Sequence, residues 1–250
     1  MPAHYDTYDY ATYWQGRDYE HGSEVVALKE FLARIPRIDR FLDLGAGFGR
    51  LTPYYVHRSK RVVLADPSAR LLKEARKRLH EPNVRIVHTG VENCSKKFKS
   101  SSFDAVMVVR VLHHLESIDE VFDTIAKLVK KGGYLILEYP NKLHFKAIAK
   151  RILCGDLTFP IEIFPADRSS ERSKKTKCLP FYNYHPDDIR TSLERHGFKL
   201  VDKRSVSNVR SSWIKKHLPL DFLMKFEKFL QKPLATINFG PSMFILAKRV

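Results

Sequence analysis

The residues best placed to do chemistry lie in the run Phe41-Leu42-Asp43-Leu44-Gly45-Ala46-Gly47-Phe48-Gly49-Arg50. A short apolar strand there ends in an acid and enters a turn with glycine at three alternate positions. Glycine lets the turn take positive φ and bring its backbone close to a bound molecule, because no Cβ intervenes. A dinucleotide fingerprint, G-x-G-x-x-G, aims a helix N-terminus at a pyrophosphate. Here the third glycine comes one residue early, and Arg50 stands where that pattern needs a small residue. An acid two residues before the first glycine suits a ligand with an ammonium group better than one with phosphates. A purely structural strand-to-helix turn is the alternative.

The elements that must carry this turn alternate between strand and helix from residue 24 to about 140. Ser23 can cap a helix carrying Val25, Val26, Leu28 and Leu32, which Pro36 stops. Residues 41–44 read as the first strand, with a helix to about His57 expected after the glycine turn. The apolar run 61–65 ends in Asp66-Pro67-Ser68. Asp66 or Ser68 can cap a helix whose Leu71, Leu72, Ala75 and Leu79 recur at helical spacing. Strands follow at 84–88 and 104–109, the latter apolar enough to be covered on both faces. A helix through Val121, Phe122, Ile125 and Leu128 ends at Lys130-Lys131-Gly132-Gly133, and 134–139 is the fifth strand. Beyond Pro140 the rhythm breaks, and the basic, irregular residues 141–185 read as a lid or insertion. A helix opened by His185-Pro186, a strand at 198–206, an amphipathic helical stretch at 213–230 and a strand at 243–247 complete the chain. The expected fold class is α/β: a doubly wound, Rossmann-like, seven-stranded and mostly parallel sheet with helices on both faces. One domain is expected over 1–250: an N-terminal segment 1–23, a core 24–140, the lid, and a C-terminal part 186–250.

The D-L-G-x-G-x-G run after an apolar strand resembles motif I of the class I S-adenosylmethionine-dependent methyltransferases. Further runs extend the resemblance over about residues 24–140. In that family an acid ending the second strand accepts the ribose hydroxyls, and Asp66 holds that place. A carboxylate matches two vicinal hydroxyls. The site after strand three, usually G-D-A-E-x-x-P-F, reads Thr89-Gly90-Val91-Glu92-Asn93, with Gly90 where the family often has an aspartate for the adenine amino group. The amides around Val91, with Glu92 or Asn93, are left to hold the ring edge. Ser102-Phe103-Asp104-Ala105-Val106, leading to Val111-Leu112-His113-His114-Leu115, resembles the methyltransferase type 11 subfamily that includes quinone-biosynthesis C-methyltransferases. Leu128-Val129-Lys130-Lys131-Gly132-Gly133 resembles the family's entry to strand five, with Lys131 in place of proline. The resemblance implies S-adenosyl-L-methionine as cofactor, held by Arg17, Asp43, Gly45, Ala46, Gly47, Asp66, Pro67, Gly90, Val91, Glu92 and Arg110. It also implies that the aromatic N-terminal segment (Tyr5, Tyr8, Tyr10, Tyr13, Trp14, Tyr19) folds over the cofactor, against the alternative of a helix packed on the sheet edge.

Methyl transfer from a sulfonium is an in-line displacement that chiefly needs donor and acceptor aligned. A base is required only if the acceptor must lose a proton. His113, His114 and Glu138 are the catalytic candidates, with His185 as a further proton handler; for each histidine a packing or helix-start role is the alternative. Arg110 ends an apolar strand and needs an anion: the cofactor's carboxylate, an anionic substrate, or an internal partner such as Glu138. The absence of N-P-P-Y or D-P-P-Y after strand four, where Arg110-Val111-Leu112 stands, argues against methylation of a planar amine by that route.

The formal charge of +16 favours acidic partners, although much of it lies on helix faces that water alone can explain. Three widely separated cysteines, at no metal-type spacing, fit a reducing, cytoplasmic setting without a metal. No apolar run approaches a membrane span, and the polar N-terminus does not read as a signal peptide. The expected activity is methylation of oxygen or carbon on a small-molecule acceptor, acidic or apolar, under the lid. The alternatives are an RNA methyltransferase, a non-catalytic cofactor-binding protein, a dehydrogenase, and a membrane-surface protein that lays 213–230 on anionic lipid. A helix pair packed on the sheet is the plainer reading of that stretch.

Overall fold

The computed structural model describes residues 10–115, 117–169 and 180–250. Helices α1 (Tyr10–Tyr13) and α2 (Asp18–Leu32) lead into β1 (Ile38–Leu44). There follow β2 (Ser59–Asp66), α3 (Ala69–Arg78), β3 (Val84–His88), α4 (Cys94–Lys97), β4 (Phe103–Val108), α5 (Ile118–Leu128) and β5 (Val129–Pro140). After α6 (Phe145–Leu153) come the two-residue strands β6 (Ala166–Asp167) and β7 (Tyr182–Asn183), then α7 (Pro186–Arg195) and β8 (Phe198–Val206). Helices α8 (Ser212–His217) and α9 (Leu220–Thr236) precede β9 (Ser242–Arg249).

Seven strands form one sheet in the order β3-β2-β1-β4-β5-β9-β8. Strands β1 to β5 are parallel, and β9 runs antiparallel to both its neighbours. The fold is therefore the expected doubly wound, mostly parallel α/β sheet. Chain order reverses between β1 and β4, and the crevice outside their carboxyl ends is where open α/β sheets bind ligands. Alternation along the strands supplies both faces. Leu42, Leu44, Val106 and Val108 pack with Phe122 and Ile125 of α5, while Phe41, Leu64 and Met107 pack with Leu28 and Phe31 of α2.

Local structure departs from the expected elements in four places. Helix α2 starts at Asp18, with Asp18 and Glu20 in its first turn, where acids complement the helix dipole. Ser23 is thus interior, donating its hydroxyl to the Tyr19 carbonyl at 2.7 Å, and caps nothing. The helix expected after the glycine turn is replaced by short 3₁₀ turns at Thr52–Tyr54 and Val56–Arg58. Positive φ at Gly45, Gly47 and Gly49 interrupts any helix there, and Pro53 supplies no N–H to extend one. Strand β5 already begins at Val129, and Gly132 with φ +78 lies within it, at an irregular stretch of the pairing with β4. Within 141–185 the described residues form α6 and the antiparallel pair β6–β7, and residues 170–179 lie outside them. Buried Lys142, just after β5, ties this excursion down by donating to the carbonyls of Glu162 (2.5 Å) and Phe164 (2.9 Å).

Candidate functional site

The glycine turn peels away from the end of β1. The amides of Gly45 and Ala46 both donate to the Ala65 carbonyl of β2, at 2.7 and 3.1 Å. Gly45 sits at φ +82, and a Cβ there would collide with the Val111 side chain. Asp66, at the end of β2, holds the turn in register. One carboxylate oxygen accepts the Gly47 amide at 2.8 Å and the other accepts the Ser68 amide at 2.8 Å. Of the two candidate caps it is Ser68 that receives the Leu71 amide of α3.

Asp43 is buried beneath the turn and accepts the Tyr55 hydroxyl at 2.5 Å. Burial pushes its carboxyl up to about 7, and the Asp66 carboxylate acts in the same sense. Tyr55 gets there because the 3₁₀ turns place its ring in a stack on Phe41, centroids 4.5 Å apart.

Above Asp43 sits a cluster with an unforeseen centre. Glu24 of α2 has no exposed surface, and it binds Arg50 of the turn with one oxygen and Arg110 with the other, the latter at 2.6 and 2.7 Å. The Trp14 indole covers both guanidiniums, at 3.6 and 5.3 Å from the ring centroid. Burial opposes ionisation of Glu24, yet Arg110 and Arg50 hold its carboxyl below the usual range. Among the described residues the Arg110 side chain pairs with Glu24 and not with Glu138. Arg110 adopts φ +62, and it is its backbone N–H that donates to Glu138, at 2.8 Å. An acid within the apolar pattern of α2, beside Val25 and Leu28, was the available signal for Glu24.

Two clefts adjoin this cluster. A small one of about 30 Å³ is lined by Asp43, Gly45, Ala46, Arg50 and Arg110, among others. A larger one, about 290 Å³, lies past the ends of β4 and β5, and Arg110 is common to both. Its walls include Arg17, Arg168, Arg210, Glu20, Glu138, His144 and Phe181. Arg17, which lies 4.0 Å from the Tyr13 ring centroid, has no ion-pair partner among the described residues, and neither has Arg168 or Arg210. Glu20 is engaged by Lys215 at 2.6 Å. Glu138 is buried, accepts the Ser242 hydroxyl at 2.5 Å, and is pushed upward mainly by burial. His144 is held down by burial and by Arg210 and Arg168. The cleft is therefore strongly cationic.

His113 and His114 line neither of these two clefts. Their rings lie 3.9 Å apart, and Phe181 covers His113 at 4.5 Å. Burial holds His113 well below the usual histidine range, and its Nδ1 meets no partner among the described residues. His114 Nδ1 bonds the Pro180 carbonyl at 2.9 Å. His185 is the buried cap of α7, its Nδ1 accepting the Asp187 amide at 3.1 Å. Gly90 and buried Val91 form a turn next to Asp66, whose carbonyl accepts the Thr89 amide at 3.1 Å. Exposed Glu92 folds its carboxylate back over Gly90. Pro67 is exposed, and its carbonyl meets His88 Nε2 at 2.8 Å. Of the aromatic N-terminal segment, Tyr5 and Tyr8 lie outside the described residues.

Residues 42–137 match the family model described as "Methyltransferase domain". The chain is 30% identical over 111 residues to the ubiquinone biosynthesis O-methyltransferase of Agrobacterium fabrum, covering 44% of this chain and 44% of that protein. It is 22% identical over 190 residues to the tRNA 5-carboxymethoxyuridine methyltransferase of Escherichia coli K12, covering 74% and 69%. The chain spans about half the length of the first curated relatives it matches. Its fold matches an S-adenosylmethionine dependent methyltransferase from Mesorhizobium loti with a TM-score of 0.60 at 16% identity, over 91% of this chain and 98% of that one.

Proposed function

We propose, from the methyltransferase-domain match over residues 42–137, that the chain is a class I S-adenosylmethionine-dependent methyltransferase that methylates oxygen or carbon of an acidic small molecule held in the arginine-lined cleft. The observation that carries the choice of acceptor is that Arg17, Arg168 and Arg210 face one cleft without an ion-pair partner among the described residues. Guanidiniums are the usual partners of carboxylate and phosphate groups.

The residues present fit the cofactor. Gly45 and Gly47 make a cradle at positive φ, and at Gly45 a side chain would fill the space. By the family resemblance, Asp66 is assigned to vicinal hydroxyls, Asp43 to an ammonium group, and Gly90, Val91 and Glu92 to the edge of a base. Bound S-adenosylmethionine supplies a methyl group already activated on a sulfonium. The chain's own task is then to hold, orient and exclude water, with Arg110 joining the cofactor side to the acceptor side. Trp14 covers Arg50 and Arg110, Tyr13 covers Arg17 in the larger cleft, and both contacts support the covering role of the N-terminal segment. An acceptor that arrives ionised needs no base, which accords with Glu138 pushed toward its neutral form and His113 held neutral. A tRNA acceptor is the second reading, favoured by the likeness to the E. coli tRNA enzyme, and it predicts binding that weakens steeply with salt.

Calorimetry tests the cofactor: S-adenosylmethionine and S-adenosylhomocysteine should bind at micromolar levels and NAD should not, with Asp66→Ala severalfold weaker. Binding of NAD alone would defeat the proposal. For the acceptor, Arg168→Ala with Arg210→Ala should raise KM for an acidic substrate by at least about 100-fold, since each of the two charge-assisted bonds is worth ~1.5–3 kcal/mol. Cofactor affinity should stay as it was. An unchanged KM would reject the anionic acceptor.

A further inference from the structure

Helix α9 packs on the fold with one face and carries an exposed aromatic stripe on another. Leu223, Glu227 and Gln231 are buried beside β8 and α2. Phe222, Phe226 and Phe229, four and three residues apart and so on one side of the helix, are 55%, 45% and 76% exposed. Trp213 on the adjoining α8 is 67% exposed. Lys225 and Lys232 lie along the aromatic stripe. Whereas Lys215 and Lys228 pair with Glu20 and Glu30, neither Lys225 nor Lys232 has an acidic partner among the described residues.

We propose that this α8–α9 face is a docking surface for an anionic lipid bilayer. The phenylalanine rings enter the boundary between headgroups and acyl chains, and the unpaired lysines reach the lipid phosphates beside them. An aromatic stripe of this kind marks an interaction surface rather than chance exposure. Charge selects the occupant. A second copy docking about a two-fold axis through this face would set Lys225 and Lys232 against their own counterparts. Anionic lipid instead neutralises them, and the overall charge of +16 draws the chain to such a surface. The apolar surface continues past the end of α9, where Phe239 stacks on Phe145 of α6 at 5.3 Å. Helix α6 buries none of its residues, and its Leu153 is 87% exposed. Phe145 directly follows His144, which lines the larger cleft.

The test is co-sedimentation of the full chain, without cofactor or acceptor, so it stands apart from the proposed reaction. Vesicles of phosphatidylcholine with about one-third phosphatidylglycerol should pellet the protein, and vesicles of phosphatidylcholine alone should leave most of it in solution. Joint Phe222→Ser, Phe226→Ser and Phe229→Ser should weaken binding at least tenfold with an unchanged thermal midpoint. Lys225→Glu with Lys232→Glu should weaken it severalfold on the anionic vesicles only, and Phe226→Ser alone serves if the triple variant does not fold. No pelleting on anionic vesicles, or pelleting indifferent to the aromatic substitutions, overturns the proposal. So does a dimer in analytical ultracentrifugation that the aromatic substitutions dissociate.

Discussion

Asp43→Asn should make the protein more stable while weakening its grip on the cofactor. Asp43 is buried, its one bonded oxygen takes the Tyr55 hydroxyl, and burial pushes its carboxyl up to about 7. A free aspartate ionises near ~4. Between those values the folded protein keeps a proton that the unfolded chain has released, so stability falls as pH rises through that window and levels off above it. With roughly 1.4 kcal/mol per pH unit, the penalty grows by roughly 2 to 3 kcal/mol between pH 5 and pH 8. Asparagine keeps an acceptor for Tyr55 and cannot ionise. Any cost of burying its amide is the same at both pH values and cancels. Chemical unfolding of both proteins at pH 5 and pH 8 isolates the effect, because His21, His113 and His144, each held down chiefly by burial, titrate alike in both. The advantage of the variant should widen by that amount toward pH 8, while calorimetry shows weaker binding of S-adenosylmethionine. A constant difference across the two pH values would refute the reasoning.

Glu24→Gln should cost about 3 kcal/mol in denaturant unfolding, because it leaves two largely buried guanidiniums without their anion; a loss under ~1 kcal/mol would contradict the cluster's role. Since its carboxyl is held low, the contribution of Glu24 should be present above the unfolded value and fade as pH falls below ~4. Gly45→Ala should lose about 1–3 kcal/mol through the left-handed φ and the clash with Val111, along with most cofactor binding, and an unshifted thermal midpoint would argue against a strained turn.

What sequence reveals here follows from what is local. Strands β3 and β8 keep their expected bounds although both are sheet edges of mixed apolar and polar residues, whereas β4 is legible because a strand covered on both faces is apolar along nearly its whole length. The glycine turn is legible because only glycine meets three left-handed positions in five residues. The residues after it mislead: Leu51, Val56 and their neighbours carry an apolar pattern, but the chain spends that stretch bringing Tyr55 to Asp43, a tertiary demand with no periodicity. Glu24 hides for a related reason. Its partners Arg50 and Arg110 come from two other segments, and no spacing rule joins them. Arg168 and Arg210 look like surface charge in the sequence, and only the packing of β6 beside the loop after β8 sets them in one cleft.

Arg110 ties these parts into one mechanism. A non-glycine residue with φ +62 holds backbone strain of about 1 kcal/mol or more, and such strain persists only where surrounding bonds fix it. Among the described residues, the Glu138 carboxylate on its N–H, Glu24 on its guanidinium and Trp14 across the face do so. Because Arg110 borders both clefts, the same restraint orders the glycine turn and the near wall of the larger cleft. Glu24 also holds Arg50, so one carboxylate on α2 sets the spacing between the two clefts. Loss of Glu24 should therefore disturb cofactor affinity and acceptor KM together, whereas loss of Arg168 and Arg210, which touch the larger cleft alone, should disturb only the second.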